Sequence, residues 1–234
     1  MTGPIEPVEP LPTSWEFDLS GVGDGEDLVG VGGDLRSGTL LAAYRAGVFP
    51  MGLGREGTRP MGWWSPDPRG VLLLGDAHAS RSLRRSLPGF EIRVDTAFAE
   101  VVAACADPSR DGRWITEEIA DAYTELHALG WAHSVEAWLD GELAGGLYGV
   151  CIGGLFAGES MFHRVTDASK VVVVAMAGLV FADGDARRIV DVQWQTDHLG
   201  TLGVRSISRE EYLRRLRTAV RLPLPEAFAG RRQA

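Results

Sequence analysis

The chain has 234 residues, 45% of them apolar and 24% charged, with a formal net charge of −9. That length allows one large domain or two small ones around a sizeable core, and the acidic balance argues against a protein that coats nucleic acid. No apolar run reaches the ~18–20 residues of a membrane span, and the opening MTGPIEPVEPLPTSWEF lacks the basic start and apolar segment of a signal peptide. Cys105 and Cys151 have no metal-like or redox spacing, and five scattered histidines show no zinc pattern. No metal, no cofactor and a reduced, cytoplasmic setting are therefore expected.

In chain order, residues 1–14 are rich in Pro and Glu and read as a loose tail. DLVGVGGDLRSGTLLAAYRAG reads as a glycine-rich turn and then a short helix, with Ser37 as its cap and Gly47 at its end. The glycines miss the dinucleotide fingerprint, so a phosphate loop is not expected. MGLGREGTRPMG is a loop, and WWSPDPRGVLLL turns into a strand that closes a small N-terminal domain at about residues 1–76. In the second domain, 77–234, LPGFEIRVD predicts a strand and TAFAEVVAACAD a helix. TEEIADAYTELHALG predicts another helix, capped by Thr116 and left at Gly130. WAHSVEAWLDGELAGGLYGV reads as a hairpin turning at Asp140-Gly141, and LFAGESMF as a further strand. DASKVVVVAMAGLVFADG is read as an apolar helix, although four consecutive valines would suit a strand. RIVDVQWQ is a strand, and SREEYLRRLRTAV a helix opened by Ser208 with Glu211 three residues on. Strands, a central hairpin and flanking helices make an α/β or α+β layered fold.

Charge is uneven. Residues 1–76 carry 11 acids and 5 arginines, whereas Arg205–Arg221 holds six arginines against two glutamates. Arg209, Arg214 and Arg215 in that segment, with Arg81, Arg84, Arg85 and Arg93 earlier, are either solvated helix surface or phosphate contacts.

Three places could carry chemistry. Asp191 and Gln193 lie two apart in a predicted strand and share a face, with Val190 and Val192 pointing the other way. An acid there can fix how the amide points, leaving its oxygen as a placed acceptor, or the pair is a strand-end hydrogen-bond site. Glu159 and Ser160 sit in LFAGESMF beside glycines that let a substrate approach the backbone. A carboxylate among apolar strand residues needs a partner, either a substrate cation or an internal one such as Lys170. Lys170 is the only lysine in the chain, kept for its compact ammonium or left by chance on a helix face. Seven tryptophans is a high count, and Trp63, Trp64 and Trp114, with Phe156, Met161 and Met176, are candidates for an apolar pocket.

The blocks GGLYGVCIGGLFAGESMFHRVTDASK (145–170) and DVQWQTDHLGTLG (191–203), with YRAGVFP and WWSPDPRGVL earlier, resemble the leucyl/phenylalanyl-tRNA–protein transferase family over about Leu28–Leu222. The resemblance implies an acetyltransferase-like (GNAT) domain behind a small N-terminal domain. It implies transfer of Leu or Phe, less Met, from aminoacyl-tRNA to proteins that begin with Arg or Lys, marking them for degradation. It makes Asp191 and Gln193 the reactive centre, with Glu159 contacting substrate beside Ser160 and Lys170. It places Trp114, Phe156, Leu147, Met176, Val180 and Val190 along the amino-acid pocket. Met51 stands where the family commonly has Trp, which leaves the Leu-versus-Phe preference open. Thr201-Leu202-Gly203 replaces the family's Ser-Leu-Gly, and His198 reads as a hydrogen-bonded core residue. An acyl-CoA enzyme of that fold would show a pyrophosphate loop of the Arg/Gln-x-x-Gly-x-Gly/Ala type, which is absent here. That weighs against the alternative, a GNAT-like transferase using another activated donor such as acyl-CoA or a cell-wall precursor. A second alternative is a non-catalytic tRNA- or peptide-binding module. No coiled-coil seam is visible, so a monomer is expected.

Overall fold

The computed structural model describes residues 6–110 and 113–229. Two sheets organise the chain. The smaller is built from β1 (Leu28–Val31), β2 (Phe49–Gly52) and β3 (Met61–Trp64) in the order β1-β3-β2, all antiparallel, with helix α1 (Ser37–Arg45) between its first two strands. The larger takes β4 (Arg69–Leu72), β5 (Glu91–Val94), β6 (Ala132–Leu139), β7 (Glu142–Ile152), β8 (Leu155–His163), β9 (Ile189–Gln193) and β10 (Arg205–Ile207). Its order is β10-β4-β9-β8-β7-β6-β5, antiparallel everywhere except between β8 and β9. The helices of this part are α2 (Arg81–Ser86), α3 (Phe98–Cys105), α4 (Glu117–Ala128), α5 (Ala168–Val180), α6 (Asp197–Gly200) and α7 (Arg209–Ala219).

The α/β class is the one expected, and most local signals hold. Asp140 and Gly141 take φ of 52° and 83°, the left-handed pair of the tight hairpin turn that joins β6 to β7. Thr116 and Ser208 each accept the main-chain N–H three residues on. The valine-rich segment is helical because of topology: β8 and β9 run parallel, and parallel neighbours need a crossover of a dozen residues or more, which α5 supplies. Burial on both faces of the sheet follows from strand alternation. Ile189 packs into the cluster with α1, α3, α4 and α7, while Val190 points into the cluster under α5.

Four expectations change. Residues 6–14 are not a loose tail: Val8 donates to Leu129 O at 2.9 Å and its carbonyl accepts Trp131 Nε1 at 2.8 Å, while Glu9 pairs with Arg45. Residues 1–5 of that expectation lie outside the described residues. The helix cap is Arg36 rather than Ser37, whose buried hydroxyl has no partner among the described residues. Leu28–Val31, read as part of a turn, pairs with β3 as a strand. Arg69–Leu72, read as the end of the first domain, belongs to the larger sheet, so the two sheets divide between Trp64 and Arg69.

Candidate active site

The site lies where the parallel pair comes apart. The β8–β9 ladder ends at Ala157↔Asp191. Immediately beyond it the β7–β8 register jumps from Gly149↔Gly158 to Tyr148↔Ser160, so Glu159 is the extra residue of a bulge. On the other strand Gln193 takes φ of 60°, the left-handed region that a non-glycine residue adopts at a cost of about 1–2 kcal/mol. A crevice beyond the carboxyl ends of adjacent parallel strands is where open α/β sheets bind ligands.

This crevice has a volume of about 310 Å³. Phe49, Pro50 and Met51 come from β2, and Trp114 precedes α4; Glu159, Val192, Gln193, Trp194, Thr196 and Leu199 complete it. Its aromatic wall is held rigidly. Trp194 meets Phe49 edge-on at 5.2 Å and donates its Nε1 to Asp27 at 3.0 Å, and Trp64 Nε1 donates to Met51 O at 2.9 Å.

Asp191 stands behind this crevice rather than in it. Its side chain is fully buried on the strand face that otherwise carries core, and four donors converge on it. Arg69 reaches it with Nε at 2.9 Å and Nη2 at 2.7 Å, the Tyr212 hydroxyl at 2.9 Å and the Gln193 main-chain N–H at 3.0 Å. Arg69, 1% exposed, is flanked by the rings of Phe49 and Tyr212 and also donates to Gly47 O at 3.2 Å. The acid therefore fixes the backbone of Gln193, where the sequence suggested a bond to its side-chain amide. That bond pins the left-handed residue, and Gln193 Nε2 is left buried without a partner among the described residues.

Glu159 is the second unsatisfied group. Tyr123 Oη donates to its Oε2 at 2.9 Å, and Tyr44 Oη hydrogen-bonds Tyr123 in turn. Its Oε1 is buried with no partner among the described residues. Burial pushes this carboxyl up to about 7, against the hydroxyls of Tyr44 and Tyr123, with the Asp191 charge adding to the rise and Arg69 opposing it. A group poised near neutrality in a crevice, beside an unpaired amide, is suited to exchange a proton or hold an N–H donor.

Of the residues singled out in sequence, the fold brings Glu159, Gln193, Met51 and Trp114 together, with Asp191 directly behind them. Leu147, Phe156 and Val190 on the sheet form a packed cluster with Met176 and Val180 of α5 and are not in this crevice, because the cluster lies on the opposite sheet face. Ser160 pairs across from Tyr148 outside it. Lys170 does not reach Glu159; it pairs with Asp167 at 3.0 Å, half-exposed at the start of α5. His198 is exposed rather than a core residue. Among the basic candidates Arg81, Arg84 and Arg85 lie exposed on α2. Arg209 is buried, holding the carbonyls of Gly23, Glu26 and Ser65 at 2.6–2.9 Å, so it cannot meet a phosphate. Arg214 and Arg215 are both engaged by Glu211. Sequence reasoning passed over Arg69, Tyr44, Tyr123, Trp194 and Tyr212. The one available signal was that a core carboxylate such as Asp191 demands a cation.

Family profiles described as leucyl/phenylalanyl-tRNA protein transferase match residues 71–217, and its N-terminal domain matches residues 33–67. The leucyl/phenylalanyl-tRNA–protein transferase of Chromobacterium violaceum is 49% identical over 203 residues, 85% of each chain. That of Idiomarina loihiensis is 42% identical over 228 residues, 96% of this chain and 94% of its own. Among solved structures a GCN5-related N-acetyltransferase from Kribbella flavida overlaps 61% of this chain and 55% of its own, at 12% identity and a TM-score of 0.36, a distant likeness. The order of the matched segments and the identity across nearly the whole chain agree: this protein belongs to the leucyl/phenylalanyl-tRNA–protein transferase family.

Proposed function

We propose that this protein transfers Leu or Phe, and less readily Met, from aminoacyl-tRNA to the α-amine of proteins that begin with Arg or Lys, as a cytoplasmic monomer, and so marks them for degradation. The observation that carries this reading is the pair of unsatisfied polar groups, Glu159 Oε1 and Gln193 Nε2, in a crevice walled by Met51, Trp114 and Trp194. No helix among the described residues is long and apolar enough to cross a membrane.

The reaction needs modest help. The amine nitrogen bonds to the ester carbonyl carbon, the carbon–oxygen bond to the terminal ribose breaks, and the amine proton ends on the released ribose hydroxyl. An α-amine has an unperturbed pKa of ~7.7–8.0, so a useful fraction is neutral near pH 7. Positioning amine and carbonyl within ~3–3.5 Å supplies most of the acceleration. Glu159 Oε1 is the acceptor for the amine N–H, and the Gln193 amide donates to the carbonyl oxygen as charge develops there. Asp191, occupied by Arg69 and Tyr212, acts by fixing the strand end that carries Gln193. The exposed arginines of α2 are the phosphate contacts for tRNA.

The test is transfer of labelled Leu and Phe from charged tRNA to one peptide starting with Arg and one with Ala, with Gln193→Ala and Glu159→Gln alongside. Transfer to the Arg peptide alone, lost in both variants, is expected. Equal transfer to both peptides would refute the acceptor preference, and no transfer from either tRNA would refute the reaction.

A further inference from the structure

Glu159 is aimed by something other than its own strand. As the bulged residue it belongs to neither neighbouring ladder pair, so the sheet does not fix its side chain. What fixes it is a two-hydroxyl chain from helices on either side of the division between the sheets. Tyr44 on α1 and Tyr123 on α4 are 1% and 0% exposed. An ionised carboxylate only accepts, so Tyr123 donates to Glu159 and Tyr44 donates to Tyr123. Each bond in such a chain polarises the next, and no bulk water can replace a lost member at this depth.

We propose that Tyr123, held by Tyr44, is a positioning residue of the transfer reaction: the hydroxyl chain occupies one carboxylate oxygen of Glu159 and leaves the other as the single acceptor facing the amine. The proposal rests on the aminoacyl-transfer reading of the crevice. It also gives the small N-terminal unit a role in the chemistry, because α1 delivers the first hydroxyl. The ionisable groups around Glu159 are Tyr44 from α1, Tyr123 from α4, Tyr148 from β7, Arg69 from β4 and Asp191 from β9. Burial holds all three phenols well above their usual range, so they stay neutral where Glu159 titrates. Tyr148 meets the Tyr123 ring edge-on at 5.4 Å, yet its own hydroxyl is buried, unpartnered among the described residues, and does not replace the chain.

The test is made on the full chain with Tyr123→Phe and Tyr44→Phe, with Glu159→Gln as reference. Carbon-13 NMR of carboxyl-labelled glutamate follows Glu159 directly, its resonance identified by its loss in Glu159→Gln. A hydroxyl bonded to a charged group contributes about 1.5–3 kcal/mol, so Tyr123→Phe should raise the Glu159 midpoint by about one to two pH units. Tyr44→Phe should raise it by less, since the direct bond survives. At pH 7 kcat for the Arg peptide should fall at least about fivefold in Tyr123→Phe, as the ionised fraction of Glu159 falls, while KM for aminoacyl-tRNA hardly moves. An unmoved midpoint in folded Tyr123→Phe overturns the proposal, as does a moved midpoint with unchanged kcat. If Tyr123→Phe does not fold, Tyr44→Phe alone must show the smaller rise and a fall in kcat, and their absence overturns it equally. Failure of the underlying reading looks different: wild-type protein would titrate normally and transfer nothing.

Discussion

Replacing Asp191 by Asn separates a structural role from a chemical one. The carboxylate receives two bonds from Arg69, one from Tyr212 and one from the Gln193 main chain, all at 2.7–3.0 Å. Asn keeps the shape but turns one acceptor into a donor against these donors and leaves Arg69 charged and buried with no anion, only the remaining amide oxygen, Gly47 O and two aromatic rings. Breaking one side of a buried ion pair costs about 3–5 kcal/mol. For a chain of this size that corresponds to a fall in Tm of about 6–20 °C, measurable by calorimetry. Replacing both partners, Asp191→Leu with Arg69→Met, should recover much of the loss, because no uncompensated charge remains. Transfer should drop in Asp191→Asn because the left-handed Gln193 loses the bond that pins it. A variant that melts within about 2 °C of wild type yet loses transfer would refute this reasoning. Asp191 would then be acting on the substrates themselves.

Glu159→Gln should show the opposite stability signature. A carboxyl raised from 4.5 to about 7 holds its proton more tightly folded than unfolded, so its contribution is full below about pH 4.5 and is lost as pH rises through about 7. Denaturant titrations should find the variant about 3 kcal/mol more stable than wild type above pH 8 and no more stable near pH 4, and a pH-independent difference would contradict this. Met51→Trp narrows the crevice from β2 and should lower kcat/KM for Phe relative to Leu about tenfold; equal loss for both would remove Met51 from the specificity determinants. The combined Arg81→Ala, Arg84→Ala and Arg85→Ala variant should weaken tRNA binding and flatten its salt dependence by about two to three in log–log slope. Arg209→Ala should instead lower Tm and leave that slope alone, since its guanidinium binds carbonyls inside the protein.

The site's chemistry was only partly legible in sequence. Asp191 and Gln193 could be placed on one strand by period-two spacing, and Glu159 stood out as an acid in an apolar strand. Their division of labour could not be read. Strand alternation already sets Glu159 opposite Phe156 but does not foresee the bulge there, whose extra residue brings Met161 onto the Phe156 face and turns Phe162 to the other. Nor does spacing foresee a left-handed turn at Gln193. The apolar candidates under α5 and the crevice lining were indistinguishable by residue type, because both are made of large hydrophobic side chains.

The sequence by itself determined helices α1, α3, α4 and α7, the hairpin and the caps at Thr116 and Ser208, along with the α/β layering and the blocks that identify the family. These depend on residues within a few positions of one another, where periodicity and turn chemistry act directly. The tertiary structure decided which arginine neutralises Asp191, 122 residues away, which tyrosines hold Glu159, and that Arg209 is bound inside while the arginines of α2 face solvent. Such pairings are set by the burial of charge, and burial is a property of the packed sheet and its helices rather than of any local segment.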